Sequence, residues 1–576
     1  MLADFPATNV FLSLLLLVVT ALLLPFEIVR PTLGVGPLAV TNVEVVVGAF
    51  ILSVAVARPR WQPRLADGAL VLFLGGALLS ALLAPAYRPE ALKFALRLAA
   101  GAAFMGAVAA FLRTTWSWRL LLWACVAGGV VSALVGLGEV AGWAPLGPWL
   151  ALFKEGPSRV GGVLRLSGSF QYATIASAYF EMVWPLAAVL AATERGQGRV
   201  AALGAVGLLS VAVALTLTRS GMATVLLTAV ALGVLASTRR HTKALLLPAG
   251  VAMVSMGASV ALLAWNSPTV RARFTTENDL TWYGARYTVP AAVRVRAGDV
   301  VTLTVEVENT GAATWTPAGE SAFALGTYWR RAEDGAVLDM PHAEWPLPGP
   351  VAPGERVRLH VAVPVDLPPG TYRLTWGMLQ RQILWFRHRG VLEAFTLVEV
   401  EGEGRGTPAH PAPKSPEPQP TVPPTVARRD LWRAALAMWR ERPLLGHGPD
   451  TFRQRYGSYL GLPAWDRRLH ANNLYLELLS GVGLVGLAGF AAFVLASGRD
   501  LWRSWRHAMP DEATLAAGVV AGVLAFTVHG LLDAFLGFTP TASLFWLLLG
   551  VGRALVERGE RARVGAGNQL RLVARA

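Results

Sequence analysis

Twelve stretches of mainly apolar residues, beginning near residues 10, 36, 68, 91, 119, 172, 199, 220, 244, 471, 513 and 538, constrain this chain more than any other feature. Each is long enough to cross the roughly 30 Å hydrocarbon layer of a bilayer as an α-helix, the form in which one segment satisfies its own backbone hydrogen bonds. Hydrophobic residues make up 54% of the 576 positions and charged ones 15%, too apolar a balance for a soluble chain. The expected fold class is a polytopic α-helical membrane protein of about twelve transmembrane helices. The net charge of +14 is scattered between apolar runs and not gathered on one soluble face, which argues for membrane topology and against nucleic acid as a partner.

Placing the amino terminus in the cytoplasm puts Arg58, Arg60, Arg64, Arg113, Arg119, Arg195, Arg199, Arg239, Arg240, Lys243, Arg499, Arg503, Arg506 and the tail after Arg553 on the inside. The short outside loops then hold only Arg30, Arg88, Lys154, Arg159, Arg165 and Arg219. This bias predicts that both termini are cytoplasmic and that residues 265–470 lie outside. The first apolar run, Val10 to Glu27, lacks a basic leader and a small-residue cleavage site, so it reads as a membrane helix and not as a cleaved signal. The single cysteine, Cys125, allows no intrachain disulfide.

Between about 280 and 402 the apolar period changes from helical to alternating, as in "VVTLTVEV", "RVRLHVAVPV" and "TYRLTWGML", with Gly, Pro and Asn between the runs. Roughly seven strands in about 120 residues predict an all-β insertion that resembles an immunoglobulin-like sandwich, and "NTGAATW", ending in Trp315, is similar to a turn-and-tryptophan signature of such domains. Residues 403–427, with eight prolines in 25 positions, predict an extended tether. The division expected is therefore 1–270, nine membrane helices; 280–402, an extracytoplasmic sandwich suited to binding or spacing; 403–427, a linker; 428–470, an external segment; and 471–576, three helices and a basic cytoplasmic tail.

In the external segment, Leu431, Trp432, Ala435 and Met438 fall on one helical face among arginines, which predicts an amphipathic helix lying on the membrane interface. "GHGPDTF", "LHANNLYLELL" and "GVGLVG" follow. Together these resemble the carboxy-terminal motif of the O-antigen ligase and polymerase superfamily. Two earlier stretches agree: "RLSGSFQYATIASAYF" is similar to that family's Arg-x-x-Gly-x-Phe segment, and "LTLTRSGMATVLL" to its Ser/Thr-Arg-Gly/Ser turn. The resemblance covers about 1–270 and 430–556 and omits the β insertion.

What the resemblance implies is a glycosyltransferase acting on the outer face of the cytoplasmic (inner) membrane that needs neither metal nor cofactor. Its donor would be a glycan on a polyprenyl pyrophosphate, and its acceptor a hydroxyl on a lipid, a glycan or a protein. A histidine titrating near neutrality suits removal of the acceptor's proton, and arginines suit the charge that grows on the departing pyrophosphate. His470 is the expected base; Arg219 and Arg165 are the expected pyrophosphate ligands, joined by Lys93 and Arg97, one turn apart on one helix. Where the family reads His-x-His-Asn, this chain reads His470-Ala471-Asn472-Asn473, and an asparagine is no base. His470 stands two residues away, about 200° of helical rotation. Asn472, Asn473, Asp466, His447 and Arg468 are supporting candidates.

Plainer readings stand beside these. Asn472 or Asn473 serves as an N-cap, Arg219 reaches the interface by extending its stem, and Gly481, Gly483 and Gly486 permit close helix packing. "GHGPDTF" lacks the lysine and spacing of a phosphate-binding loop. Arg453, Arg455, Arg467 and Arg468 form a basic rim. Two other classes remain: a solute transporter, for which the buried acids Glu139, Glu181 and Asp533 speak, and a scaffold displaying the sandwich.

Overall fold

The computed structural model describes residues 7–35, 38–56, 63–115, 117–160, 163–276, 281–319, 321–338, 340–381, 383–402 and 426–573. Arg58, Arg60 and all but the last two residues of the expected proline-rich tether lie outside the described residues. The chain divides into two compact units, one formed by Met1–Ser158, Leu164–Leu262 and Val426–Ala576, the other by Arg159–Val163 and Leu263–Thr425.

The first unit is helical. In chain order it holds α1 (Ala7–Leu23), α2 (Asn42–Ala55), α3 (Leu65–Leu82), α4 (Arg88–Thr114), α5 (Trp118–Val140), the short α6 (Gly147–Leu150), α7 (Ala173–Thr193), α8 (Gly196–Leu215), α9 (Arg219–Thr238) and α10 (Leu246–Asn266). A further short helix, α11 (Pro268–Thr275), belongs to the second unit. The first unit then resumes with α12 (Arg428–Glu441), α13 (Phe452–Tyr459), α14 (Leu474–Trp505), α15 (Pro510–His529) and α16 (Thr539–Val573). Among the described residues ten helices are long and apolar enough to cross a membrane, and Val10–Leu23 and Asn42–Ala55 are two shorter apolar ones. The expected starts near 10 and 36 fall on these shorter pair. The chain is a polytopic membrane protein with an added β region.

At the centre lies α7, buried along nearly its whole length and packed on α5, α8 and α15; α14 lies against α3, and α16 against α4. One end of the bundle is fastened by ion pairs between distant helices: Arg113 to Glu557 at 3.2 Å, Arg64 to Glu560 at 2.5 Å, Arg119 to Asp511 at 2.7 Å, and Arg553 to Asp67. Arginines that signal topology in the sequence therefore also tie helix ends together.

The segment between α12 and α13 seals a break in α14. Gly483, within that helix, has φ +65° and ψ −168°, so the helical ladder is interrupted there. The chain before "GHGPDTF" and that motif itself supply the missing partners. His447 N donates to Ser480 O at 3.0 Å, Gly448 N to Gly481 O at 2.8 Å, and Leu484 N to Pro443 O at 2.9 Å, while Ser80 Oγ donates to Gly481 O at 2.8 Å. Unpaired backbone groups in hydrocarbon cost several kcal/mol each, which is why such a break needs a dedicated partner strand. Gly446 and Gly448 turn with φ +65° and +104°, and a Cβ on Gly446 would meet the Gly481 carbonyl carbon at 2.5 Å. The expected packing role of Gly483 is thus more specific: a Cβ there would collide with the Leu444 backbone.

α12 departs from expectation. Its apolar face is covered by protein: Leu431, Ala434, Ala435 and Met438 pack with Phe452, Tyr456 and Ala471 in a small core of their own. The sequence gives amphipathicity but not the surface that receives it.

Within the second unit, residues 281–402 carry nine strands among the described residues. One sheet orders 356–364, 300–309 and 285–288; the other orders 292–296, 394–401, 370–380, 323–331 and 343–346, with 384–385 beside 370–380. Among these described strands only the 292–296 and 394–401 pair is parallel. Burial alternates strictly along Arg356–Pro364, as its sequence predicts. "NTGAATW" is a turn held by buried Asn309, whose Nδ2 donates to Ala313 O at 2.9 Å and Val351 O at 3.0 Å, and it delivers Trp315 to the core.

Gly483→Ala should lower thermal stability by about 1–3 kcal/mol through the strained φ alone. Gly498→Ala, in the same helix with open space around it, should leave stability unchanged or raise it by up to about 1 kcal/mol. Thermal unfolding of both variants in one detergent checks this.

Candidate functional site

Away from the ion-paired end, α1 finishes and α2, α4, α7, α14 and α16 begin. Between these ends lies a cavity of about 540 Å³, lined by His470, Asp450, Arg453, Arg468, Arg97, Glu27 and Tyr172 among others. Apart from Arg97, in the third turn of α4, these polar residues come from loops and first helical turns, where side chains escape the hydrocarbon.

His470 precedes α14, and the start of that helix fixes its place. Asn473 is the N-cap: its Oδ1 accepts from Leu476 N at 2.9 Å, and its Nδ2 donates to Leu531 O at 2.8 Å. Asn472 takes the left-handed region at φ +48°, so the chain reverses just before the helix. Leu474 N donates to Gly530 O at 2.7 Å, which ties this turn to the end of α15. One helical turn in, Glu477 reaches back. Its Oε1 lies 3.1 Å from His470 Nδ1, and its Oε2 accepts from Ala471 N at 2.7 Å. With Nδ1 donating to Glu477, Nε2 is the nitrogen that exchanges a proton with a ligand. The side chain is only 15% exposed, packed edge-on to Phe538.

Burial opposes charge on His470, but the Glu477 carboxylate outweighs it, helped by Asp450, and holds the imidazole above its ordinary range. Asp450 ends the "GHGPDTF" turn at φ +61° and receives the Arg453 fork at 2.8 and 2.7 Å. Donor atoms of Asp450, His470 and Glu477 lie within 4.8 Å of one another, a group that could hold a divalent cation. Any such ion must compete with the guanidinium that already occupies both oxygens of Asp450.

The other expected residues separate into groups. Arg97 lines the cavity, paired with Glu44 at 2.9 Å, whereas Lys93 does not line it. Arg468 lines it too, bonded to Asp466 at 3.1 Å and 3.5 Å from Glu155. Asp466 is held below its usual range: burial opposes this, and Arg468 outweighs it. His447 is enclosed away from the cavity, with Nε2 donating to Met438 O at 2.9 Å and Nδ1 accepting from Arg455. Burial, then the Arg455 charge, push its pKa down, so it locks the motif turn onto α12 as a neutral group.

Arg165 and Arg219 meet at a different turn. Arg165 Nε donates to Thr216 O at 2.7 Å and its terminal nitrogen to Thr218 Oγ1 at 3.0 Å; Arg219 is the next residue and opens α9. That position adds the positive end of a helix dipole. The backbone connects this turn to the cavity rim, because Arg165 N donates to Ser158 O at 2.8 Å and Ser158 lines the cavity.

Glu477, Asp450 and Arg453 complete the surroundings of His470, and sequence reasoning passed over the first two. The available signal for Glu477 was an acid in the first turn of a membrane helix, seven residues after a motif histidine.

The fold and site define a class: a polytopic membrane protein whose helix ends enclose a cavity with a histidine–glutamate pair and a nearby two-arginine turn. The family model described as O-Antigen ligase matches residues 394–491, a span holding α12, the "GHGPDTF" turn, the His470–Glu477 pair and the break in α14. This agrees with the superfamily resemblance read from the motifs. No curated protein matches the chain.

Neutral imidazole reacts with diethyl pyrocarbonate and imidazolium does not. Since Glu477 raises the pKa of His470, Glu477→Gln should move the midpoint of His470 modification to lower pH. Mass spectrometry across a pH series checks the direction.

Proposed function

We propose that this protein transfers a glycan from a polyprenyl pyrophosphate to an acceptor hydroxyl on the outer face of the cytoplasmic membrane. The observation that carries this reading is the His470–Glu477 pair, facing a polar cavity within the segment that matches the ligase family.

His470 Nε2 takes the acceptor's proton as its oxygen attacks the anomeric carbon, and Glu477 stabilises the imidazolium formed. The bond from that carbon to the phosphate oxygen breaks, and its electron pair leaves with the polyprenyl pyrophosphate. Arg165, Arg219 and the amino-terminal end of α9 stabilise that charge, supplying the cationic role a metal fills in other transferases. Arg97 and Arg468, each already paired with a carboxylate, shape the cavity, and Lys93 attracts the donor's headgroup from the side. Both termini then lie in the cytoplasm and the β unit outside, where it binds or spaces a partner. The acceptor is a lipid, a glycan or a protein.

Transport fits less well. Glu139 is bonded to Lys154 and Glu181 to His529, so two acids that ion coupling would use are already engaged.

The test is transfer in reconstituted vesicles from a polyprenyl-pyrophosphate glycan to each acceptor class, with and without chelator. Wild type should transfer with either. His470→Ala should lose about 10²–10⁴-fold in rate, the usual worth of a general base, and Arg219→Ala should lose comparably. Unimpaired transfer by His470→Ala removes the proposed base; no transfer to any acceptor removes the proposal itself.

A further inference from the structure

A second polar chain runs through the helical core, outside the cavity. Ser177 Oγ on α7 donates to Glu181 Oε1 at 2.5 Å; Glu181 Oε2 lies 2.8 Å from His529 Nδ1 on α15; and His529 Nε2 lies 2.8 Å from Ser220 Oγ on α9. Ser177 and Glu181 are 0% exposed and His529 1%. Ionisable groups at membrane depth are expensive even on permissive scales, and they mark function by default. Apolar residues of similar volume would pack three helices together more cheaply.

The geometry directs this chain at one place, the turn before α9 that carries Arg219 and is held by the Arg165 side chain. Ser220 follows Arg219 in the first turn of α9. Before it, Leu217 sits at φ +51°, a conformation that a branched side chain keeps only when its surroundings enforce it. Arg165 grips the turn from one side, through Thr216 O and Thr218 Oγ1. His529 grips it from the other, through Ser220. Gly221 makes the approach feasible, since a Cβ there would collide with Ser177 Oγ and Glu181 Oε1. The residue after His529 accepts from Leu474 N, so the same anchor also meets the start of α14, four residues beyond His470.

We propose that His529, oriented by Glu181, is a positioning residue: through Ser220 it fixes the first turn of α9 so that Arg219 is presented to the pyrophosphate of the donor. The inference rests on the proposed reading of Arg219 as a pyrophosphate ligand. His529 does not touch substrate; it acts through the Ser220 hydroxyl.

The experiment uses the full chain in lipid nanodiscs. Binding of polyprenyl pyrophosphate and glycan-transfer kinetics are measured for His529→Gln, Ser220→Ala and Ser220→Thr, each alone and with Arg219→Lys, with thermal unfolding alongside. His529→Gln and Ser220→Ala should each weaken pyrophosphate binding and lower kcat by about tenfold, Ser220→Thr should restore most of the loss, and neither should add more than about twofold once Arg219→Lys is present. Three results overturn the proposal: unchanged binding and kcat in both variants, losses that multiply with that of Arg219→Lys, or a Ser220→Ala loss far beyond that of His529→Gln, which would make the hydroxyl a reacting group. If His529→Gln fails to fold, Ser220→Ala, which removes one oxygen, decides alone. Wild type that binds polyprenyl pyrophosphate without transferring glycan refutes the transferase reading and leaves the binding arm to decide this inference; wild type that binds none refutes the inference.

Discussion

A helix crossing hydrocarbon cannot leave its backbone unpaired, and α14 breaks that rule at Gly483 unless another segment repairs it. The repair by residues 443–448 governs much of the rest. Because Gly448 N and His447 N are spent on Gly481 and Ser480, the following Pro449 and Asp450 are carried to the start of α14, where Asp450 meets His470 and Glu477. The same repair buries His447 against α12 and so docks that helix onto α13 and α14. The glycine motifs of this region are therefore two halves of one backbone joint, and Asp450, His470 and Glu477 are positioned around it.

Electrostatics then sort the charges by depth. At one end of the bundle, arginines from α3, α4, α5 and α16 pair with acids on partner helices. At the cavity end, Arg97, Arg453 and Arg468 are likewise each matched to a carboxylate. In a half-buried setting such pairing avoids the penalty of a lone charge but leaves a rim of mixed sign. Arg165 is held to a backbone carbonyl and a threonine hydroxyl at a strained turn. Its role is tied to that turn's shape, and the buried His529–Glu181 pair bears on the same feature from below.

Much of this was legible beforehand. Apolar run length located the helices, because spanning a bilayer demands a continuous apolar stretch and little else; the two near 10 and 36 correspond to the shorter apolar helices of the structure. Alternation located the β region, and "NTGAATW" proved to be a side-chain-held turn. His470 was legible as a motif histidine, and Asn473 as a cap. Glu477 was harder to read, because a glutamate in "LYLELL" looks like an interfacial charge until the reversal at Asn472 swings His470 back over it. α12 was legible as amphipathic, but its partner was not, since a periodic pattern states which face is buried and never against what.

The sequence alone determined the membrane class, the helix positions, the inserted β unit and the identity of the motif residues, since each follows from local composition and period. Tertiary structure alone decided which distant groups meet: Glu181 with His529 across 348 residues, Ser220 with His529 across 309, and Arg165 with the α9 turn. Such encounters depend on how helices pack in three dimensions, and a pairwise contact between remote segments leaves no trace in the local pattern of either one.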